Sequence, residues 1–120
     1  MRIVVVDDHD SVRRILVAIL GEYGLDVVQE CANGREAVDL CRDLEPDAVV
    51  MDVRMPVLDG IAATREIKGL RAETRVVLLT AYEEEDLRTA ALDAGADEFV
   101  VKGVSGQELA ALVREAVKAA

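Results

Sequence analysis

The chain predicts an α/β domain in which one parallel sheet is doubly wound, with helices on both faces in the order (βα)5. Three observations carry this reading. Short β-branched runs alternate five times with segments whose apolar residues recur at three- and four-residue spacing. The central run, Ala48-Val49-Val50-Met51, is apolar without interruption, as a strand covered on both faces must be. Parallel strands need crossovers, and right-handed crossovers with short connections lead to the doubly wound layout. The 120 residues, 52% of them hydrophobic, make one domain over residues 1–120 with ample material for a core.

The elements follow in order. Arg2 to Val6 is the first strand, its run Ile3-Val4-Val5-Val6 ending at Asp7-Asp8-His9-Asp10. Asp10 or Ser11 is expected to cap the next helix, which buries Val12, Ile15, Leu16, Ile19 and Leu20 until Gly21 and Gly24 close it. Leu25 to Cys31 is a second, more polar strand. Asn33, with Glu36 three residues on, opens a helix that buries Ala37, Leu40, Cys41 and Leu44 and stops at Glu45-Pro46. The central strand ends at Asp52. After the loop marked by Pro56 and Gly60, a helix runs to about Leu70 with Ile61 and Ile67 inward. Val76 to Leu79 forms a fourth strand reaching Thr80. Glu83 to Ala94 reads as a helix whose inward face, Leu87, Ala90, Ala91 and Ala94, is made mostly of small residues, and Gly95 stops it. Phe99-Val100-Val101 is the fifth strand and ends at Lys102. Ser105 and Glu108 form a capping box for a last helix that buries Leu109, Leu112, Val113 and Ala116.

Composition excludes several functions. The 24 acidic against 14 basic residues leave a net charge of −10, so the domain lacks the electrostatic footprint for nucleic acid or anionic lipid. No apolar run approaches the roughly 20 residues of a membrane span, and the chain reads as cytoplasmic. Cys31 and Cys41 lack metal-ligand spacing and sit in apolar patterns, as buried free thiols do. The run Glu83-Glu84-Glu85-Asp86 reads as a solvated helix N-terminus favoured by the macrodipole.

Taken alone, Asp52 either opens a turn or serves a site, and both readings stand. Asp7, Asp8, Asp52, Thr80 and Lys102 together close four of the five strands, and parallel strands bring those ends to one edge. Converging carboxylates repel, and a hard divalent cation such as Mg²⁺ relieves them while leaving room for a phosphate. Lys102 offers a compact positive charge to carboxylate or phosphoryl oxygens, and Thr80 a hydroxyl donor. His9, the single histidine, reads as a turn residue rather than a catalyst.

With the motifs VVVDDHD, VVMDVRMPVLDG, VLLTAY and EFVVK in this order, the chain closely resembles the receiver domain of bacterial two-component response regulators. The resemblance implies a flavodoxin-like three-layer sandwich with strand order 2-1-3-4-5. It implies a phosphoacceptor at Asp52, Mg²⁺ held by Asp8, Asp52 and the backbone carbonyl of Arg54, and Asp7 assisting through water. Thr80 and Lys102 would read the phosphoryl group, Phe99 would be the aromatic that turns inward after Thr80 moves, and Arg54 and Tyr82 would tune the lifetime. The implied reaction is transfer from a sensor histidine kinase phosphohistidine to Asp52, followed by hydrolysis. The domain would thus catalyse its own phosphorylation and dephosphorylation without being a conventional turnover enzyme. The surface that changes would span the fourth helix, fifth strand and fifth helix, with the kinase docking at the first helix. The motifs look most like regulators of the NarL/LuxR type with a C-terminal helix-turn-helix, so DNA would be reached only through such a domain, and a homodimer is a family expectation. One departure stands out: Gly103 follows Lys102 where the family commonly has a cis proline, so a trans peptide and a less fixed Lys102 are expected.

Two other classes compete. A receiver-like interaction module that is never phosphorylated predicts missing site residues, and none is missing. A phosphatase of the haloacid dehalogenase type wants DxD and a cap, whereas Asp7 and Asp8 are adjacent and no length remains for a cap.

Overall fold

The computed structural model describes residues 1–119, so Ala120, the end of the expected domain, lies outside the described residues. The elements alternate throughout: β1 (Arg2–Val6), α1 (Asp10–Glu22), β2 (Asp26–Cys31), α2 (Gly34–Leu44), β3 (Ala48–Asp52), α3 (Gly60–Leu70), β4 (Arg75–Thr80), α4 (Glu85–Asp93), β5 (Glu98–Val101) and α5 (Gly106–Lys118). All strand pairs are parallel, in the order β2-β1-β3-β4-β5. This is the flavodoxin-like fold.

Successive side chains of a strand point to opposite faces, which divides the core in two. Val4, Val6, Val49, Met51, Val76 and Leu78 face α2, α3 and α4, where they meet Ala37, Val38, Cys41, Ala63, Ile67 and Ala91. Ile3, Val5, Ala48, Val50, Val77 and Leu79 face α1 and α5, where they meet Leu20, Leu109, Ala110 and Val113. Both residue sets on β3 are buried, which is why its sequence shows no alternation. In-register pairing of Val6 with Met51, Asp52 with Leu79 and Thr80 with Val101 puts the strand ends at one level.

Three helices start as their sequences predict or better. Asn33 accepts from the Glu36 N–H at 2.9 Å and donates to its carboxylate at 3.0 Å, and Ser105 accepts from the Glu108 N–H at 3.1 Å. Asp59 caps α3 through the Ala62 N–H at 2.9 Å, a cap not expected from the sequence. Both cysteines are free and buried, and burial pushes each thiol up to about 12.

Two helices depart from expectation. Neither Asp10 nor Ser11 caps α1: Asp10 is already its first residue, His9 holds the cap position without a side-chain bond, and the helix runs past Gly21 to Glu22. Of the face expected to be buried, Val12 and Ile15 are exposed, Ile15 at 58%, because Arg13 takes the inward place beneath the strand ends. Val12 and Ile15 instead border an apolar groove with Gly103, Val104 and Leu109. Helix α4 begins at Glu85 rather than Glu83, which leaves Glu83 and Glu84 in the preceding loop.

Candidate functional site

The carboxyl ends of β1, β3, β4 and β5 converge, bringing Asp7, Asp8, Asp52, Thr80 and Lys102 to one edge of the sheet. Asp7 follows β1 and is fully buried, with its Oδ1 accepting the His9 N–H at 2.9 Å and its carbonyl accepting Arg13 Nη1 at 2.8 Å. Asp52, the last residue of β3, is 7% exposed, and its Oδ1 accepts the Val53 N–H at 3.0 Å. The Lys102 ammonium lies between them, 3.2 Å from Asp7 Oδ2 and 3.4 Å from Asp52 Oδ1. Its backbone N–H donates to the Thr80 carbonyl at 2.7 Å, so β4 sets where the lysine leaves β5. Glycine at 103 serves here, since its φ is 117°, and all peptides among the described residues are trans. The Thr80 hydroxyl donates to the Tyr82 carbonyl at 3.1 Å and lies 3.3 Å from the Tyr82 N–H, closing a turn above the site.

The loop from β3 to α3 is held from both sides. The Val53 N–H donates to the Leu79 carbonyl at 3.0 Å, the Gly60 N–H to the Val53 carbonyl at 2.8 Å, and the Gly34 N–H to the Leu58 carbonyl at 3.0 Å. Between these anchors the Leu58 N–H reaches the Pro56 carbonyl at 2.8 Å in a γ-turn centred on Val57 at φ 69°. A β-branched residue at positive φ is strained, and the surrounding bonds hold it there.

One ligand atom from each of Asp7, Asp8, His9 and Asp52 lies within 4.8 Å of all the others. Asp8 Oδ1 is buried and accepts no hydrogen bond; the His9 ring nitrogen 3.3 Å away is not aligned to donate one. A buried carboxylate oxygen without a donor, beside two further carboxylates, fits a hard divalent cation. A cavity of about 160 Å³ opens beside the cluster, lined by His9, Asp52, Arg54, Thr80, Ala81, Tyr82 and Lys102.

The strand-end residues named from the sequence are therefore brought together, and Arg54 and Tyr82 stand on the rim. The Arg54 guanidinium turns outward to Glu84 at 3.5 Å. Phe99 does not reach the cavity. It already lies inward, 4% exposed on β5, with the Arg88 guanidinium 5.0 Å from its ring centre. Two residues escaped the sequence reading. His9 lies 3.5 Å from Asp7 Oδ1 as well as near Asp8, with no pattern to signal it. Arg13 had a signal: it shares a helical stripe with Leu16, Val17 and Leu20.

Residues 3–114 match the family model described as the response regulator receiver domain. The chain belongs to that family. The receiver is 42% identical over 118 residues to the regulatory protein AtoC of Escherichia coli K12, covering 98% of this chain but only 25% of AtoC. It therefore spans about a quarter of that relative's length. Among solved structures, it is similar to the signal receiver domain of the response regulator NarL from Mycobacterium tuberculosis, with a TM-score of 0.95, 32% identity and coverage of 99% of this chain and 97% of that one. The CheX–CheY–BeF3–Mg²⁺ complex from Borrelia burgdorferi gives a TM-score of 0.90 at 27% identity, covering 96% of this chain and 87% of that one.

The electrostatics at Asp52 work against the receiver's stability. Burial raises its carboxyl above the ordinary aspartate range, Asp7 adds to the shift, and the Lys102 ammonium opposes both. A carboxyl raised in the folded state holds its proton more tightly there than in the unfolded chain. Stability therefore falls as pH rises past the unfolded value of 3.8, and the loss is complete above the folded value. Asp52→Asn removes this penalty. At pH 7 with chelator present, the variant is expected to be more stable by about 1 kcal/mol. That gain should vanish below pH 3.8. Urea midpoints across pH measure it, and a variant less stable than wild type at neutral pH would contradict the reading.

Proposed function

We propose that this receiver is a phosphorylation switch that takes a phosphoryl group onto the Asp52 carboxylate. The observation that carries the proposal is the Lys102 ammonium bridging buried Asp7 and Asp52 at 3.2 and 3.4 Å beside an open cavity. Asp8, Asp52 and the Arg54 carbonyl would hold Mg²⁺, with Asp7 assisting through water; the unpartnered Asp8 oxygen within the acidic cluster supports the carboxylates of that set, and the Mg²⁺ of the Borrelia complex supports the choice of metal. Bound there, Mg²⁺ would offset negative charge on the phosphoryl oxygens.

The remaining work falls to the chain itself. Asp52 is the nucleophile, and its donor, a phosphohistidine of a sensor kinase, approaches through the cavity that His9 and Tyr82 help to line, its imidazole leaving as the phosphoryl group passes to Asp52. Lys102 places positive charge where the phosphoryl oxygens come to lie, without having to move far. The Thr80 hydroxyl exchanges its bond to the Tyr82 carbonyl for a phosphoryl oxygen, pulling the β4–α4 loop inward. Phe99, already buried, answers by repacking against that loop, with Arg88 carrying the change to α4. Arg54 and Tyr82, exposed on the rim, set how readily water reaches the acyl phosphate and so how long the signal lasts. The receiver family supports a cytoplasmic role, and the net charge of −10 argues against direct DNA contact; an output domain of the helix-turn-helix type, like that of NarL/LuxR regulators, would supply it, with a homodimer as one route.

Intact mass after incubation with Mg²⁺ and acetyl phosphate tests the proposal. Wild type is expected to gain one phosphoryl group and Asp52→Asn none, with no gain when the metal is chelated. An unlabelled wild type, under conditions that label another receiver, would favour a phosphorylation-independent interaction module.

A further inference from the structure

We infer that Arg13 is a positioning residue for the cation site, fixing the Asp7–Asp8 peptide from beneath; the inference rests on the Mg²⁺-binding reading above. Its side chain is buried at 10% exposure, and three of its nitrogens are engaged at the same distance. Nη1 donates to the Asp7 carbonyl and Nε to Glu30 on β2, and Nη2 forms an ion pair with Asp10 in the first turn of α1, each at 2.8 Å. One planar fork thus ties the ends of two strands to the start of a helix. Lysine, with a single point of charge, has no equivalent geometry.

The bond to the Asp7 carbonyl matters most. That oxygen belongs to the peptide joining Asp7 to Asp8, so a rotation of the peptide plane changes ψ of Asp7 and φ of Asp8 together. Such a rotation would swing the Asp8 carboxylate. Asp8 Oδ1 is buried without a hydrogen bond and the cap position of α1 makes no side-chain bond, so the other restraint on this turn is the His9 N–H donated to Asp7 Oδ1 at 2.9 Å. The guanidinium supplies the restraint that a cap would otherwise give. Packing alone does not call for it, because the stripe shared with Leu16 and Leu20 would accept an apolar side chain without burying a charge.

Charge and geometry act in opposite directions when Arg13 is removed. Arg13→Met leaves Glu30 and Asp10 unmatched, and that added negative charge attracts a cation even if the turn has loosened. The pair Arg13→Met with Glu30→Gln keeps the net charge unchanged and isolates geometry.

Calorimetric titration of Mg²⁺ into the metal-free chain reads the effect directly. The pair variant is expected to bind about tenfold more weakly, as loss of a ligand's supporting partner does in other metal sites. Labelling by acetyl phosphate at saturating Mg²⁺ should stay within about twofold, since a positioning residue outside the reacting atoms affects occupancy first. Arg13→Lys should lie between wild type and the pair, and it decides the matter if the pair does not unfold cooperatively. Equal Mg²⁺ affinity in wild type and a folded variant overturns the inference and leaves the switch reading intact. A wild type that binds no Mg²⁺ overturns both.

Discussion

Gly60→Ala is expected to destabilise the domain by about 3 kcal/mol, near the upper end for overpacking, and to impair Asp52 in whatever remains folded. A Cβ at Gly60 would sit 2.3 Å from the Asp52 carbonyl oxygen and 3.0 Å from the Val53 Cα. Both are backbone atoms of the strand end, so no side-chain rotation relieves the contact. The Gly60 N–H is also bonded to the Val53 carbonyl at 2.8 Å, which pulls the first turn of α3 toward the atoms it would strike. Either the helix start or the strand end must give way, and Asp52 belongs to the strand end. Gly34→Ala should behave alike, its Cβ meeting the Leu58 carbonyl at 2.1 Å from the other side of the loop. Gly21 and Gly69 are the controls. Each is helical with nothing within 4 Å of an added Cβ, so alanine there should stabilise by about 0.5–1 kcal/mol. Urea unfolding of the four variants measures the contrast, and a Gly60→Ala loss no greater than 1 kcal/mol would refute the clamp.

These glycines also mark where sequence reading stops. Gly60 was legible as punctuation after the central strand, because a turn residue there needs only local chemistry. Its closeness to the Asp52 carbonyl is a tertiary fact, and no spacing rule encodes it. The strands and their acidic ends were legible because burial on both faces leaves unbroken β-branched runs, and the first polar residue after each run falls at the sheet edge. Strand order came from resemblance to a family; periodicity alone allows other orders.

Arg13 shows the opposite failure. Its position on the stripe of Leu16 and Leu20 was visible but went unread, because a charged residue is placed inside only by the partners that converge on it, here Asp7, Asp10 and Glu30. Apolar spacing alone assigned Val12 and Ile15 to the core, where Arg13 in fact takes the inward place. Val57 lay beyond reach for another reason: local propensity argues against a valine at φ 69°, and it is the bonds of Gly34 and Gly60 on either side that hold it there.

Lys102→Met should separate the two duties of the ammonium. With chelator present, Asp7 and Asp52 become two buried carboxylates with no cation between them. Breaking a fully buried pair costs about 3–5 kcal/mol, and Lys102 is 29% exposed on its side chain, so a loss of about 2 kcal/mol is expected. Mg²⁺ should repair it. The ammonium repels a divalent cation bound to the same carboxylates, so its removal is expected to tighten Mg²⁺ binding by roughly tenfold, about 1.4 kcal/mol. Saturating Mg²⁺ should therefore raise the variant's unfolding midpoint more than it raises that of wild type. Labelling should move the other way. At saturating Mg²⁺ the variant should accept phosphoryl from acetyl phosphate roughly a hundredfold more slowly, because a positive group aimed at the transferred oxygens has been lost while the metal has not. Thermal unfolding with and without Mg²⁺, beside labelling rates by intact mass, measures both. If Lys102 were only a structural counter-ion, Mg²⁺ would restore stability and rate together; a variant stabilised by Mg²⁺ yet slow to label assigns the lysine to the transfer itself.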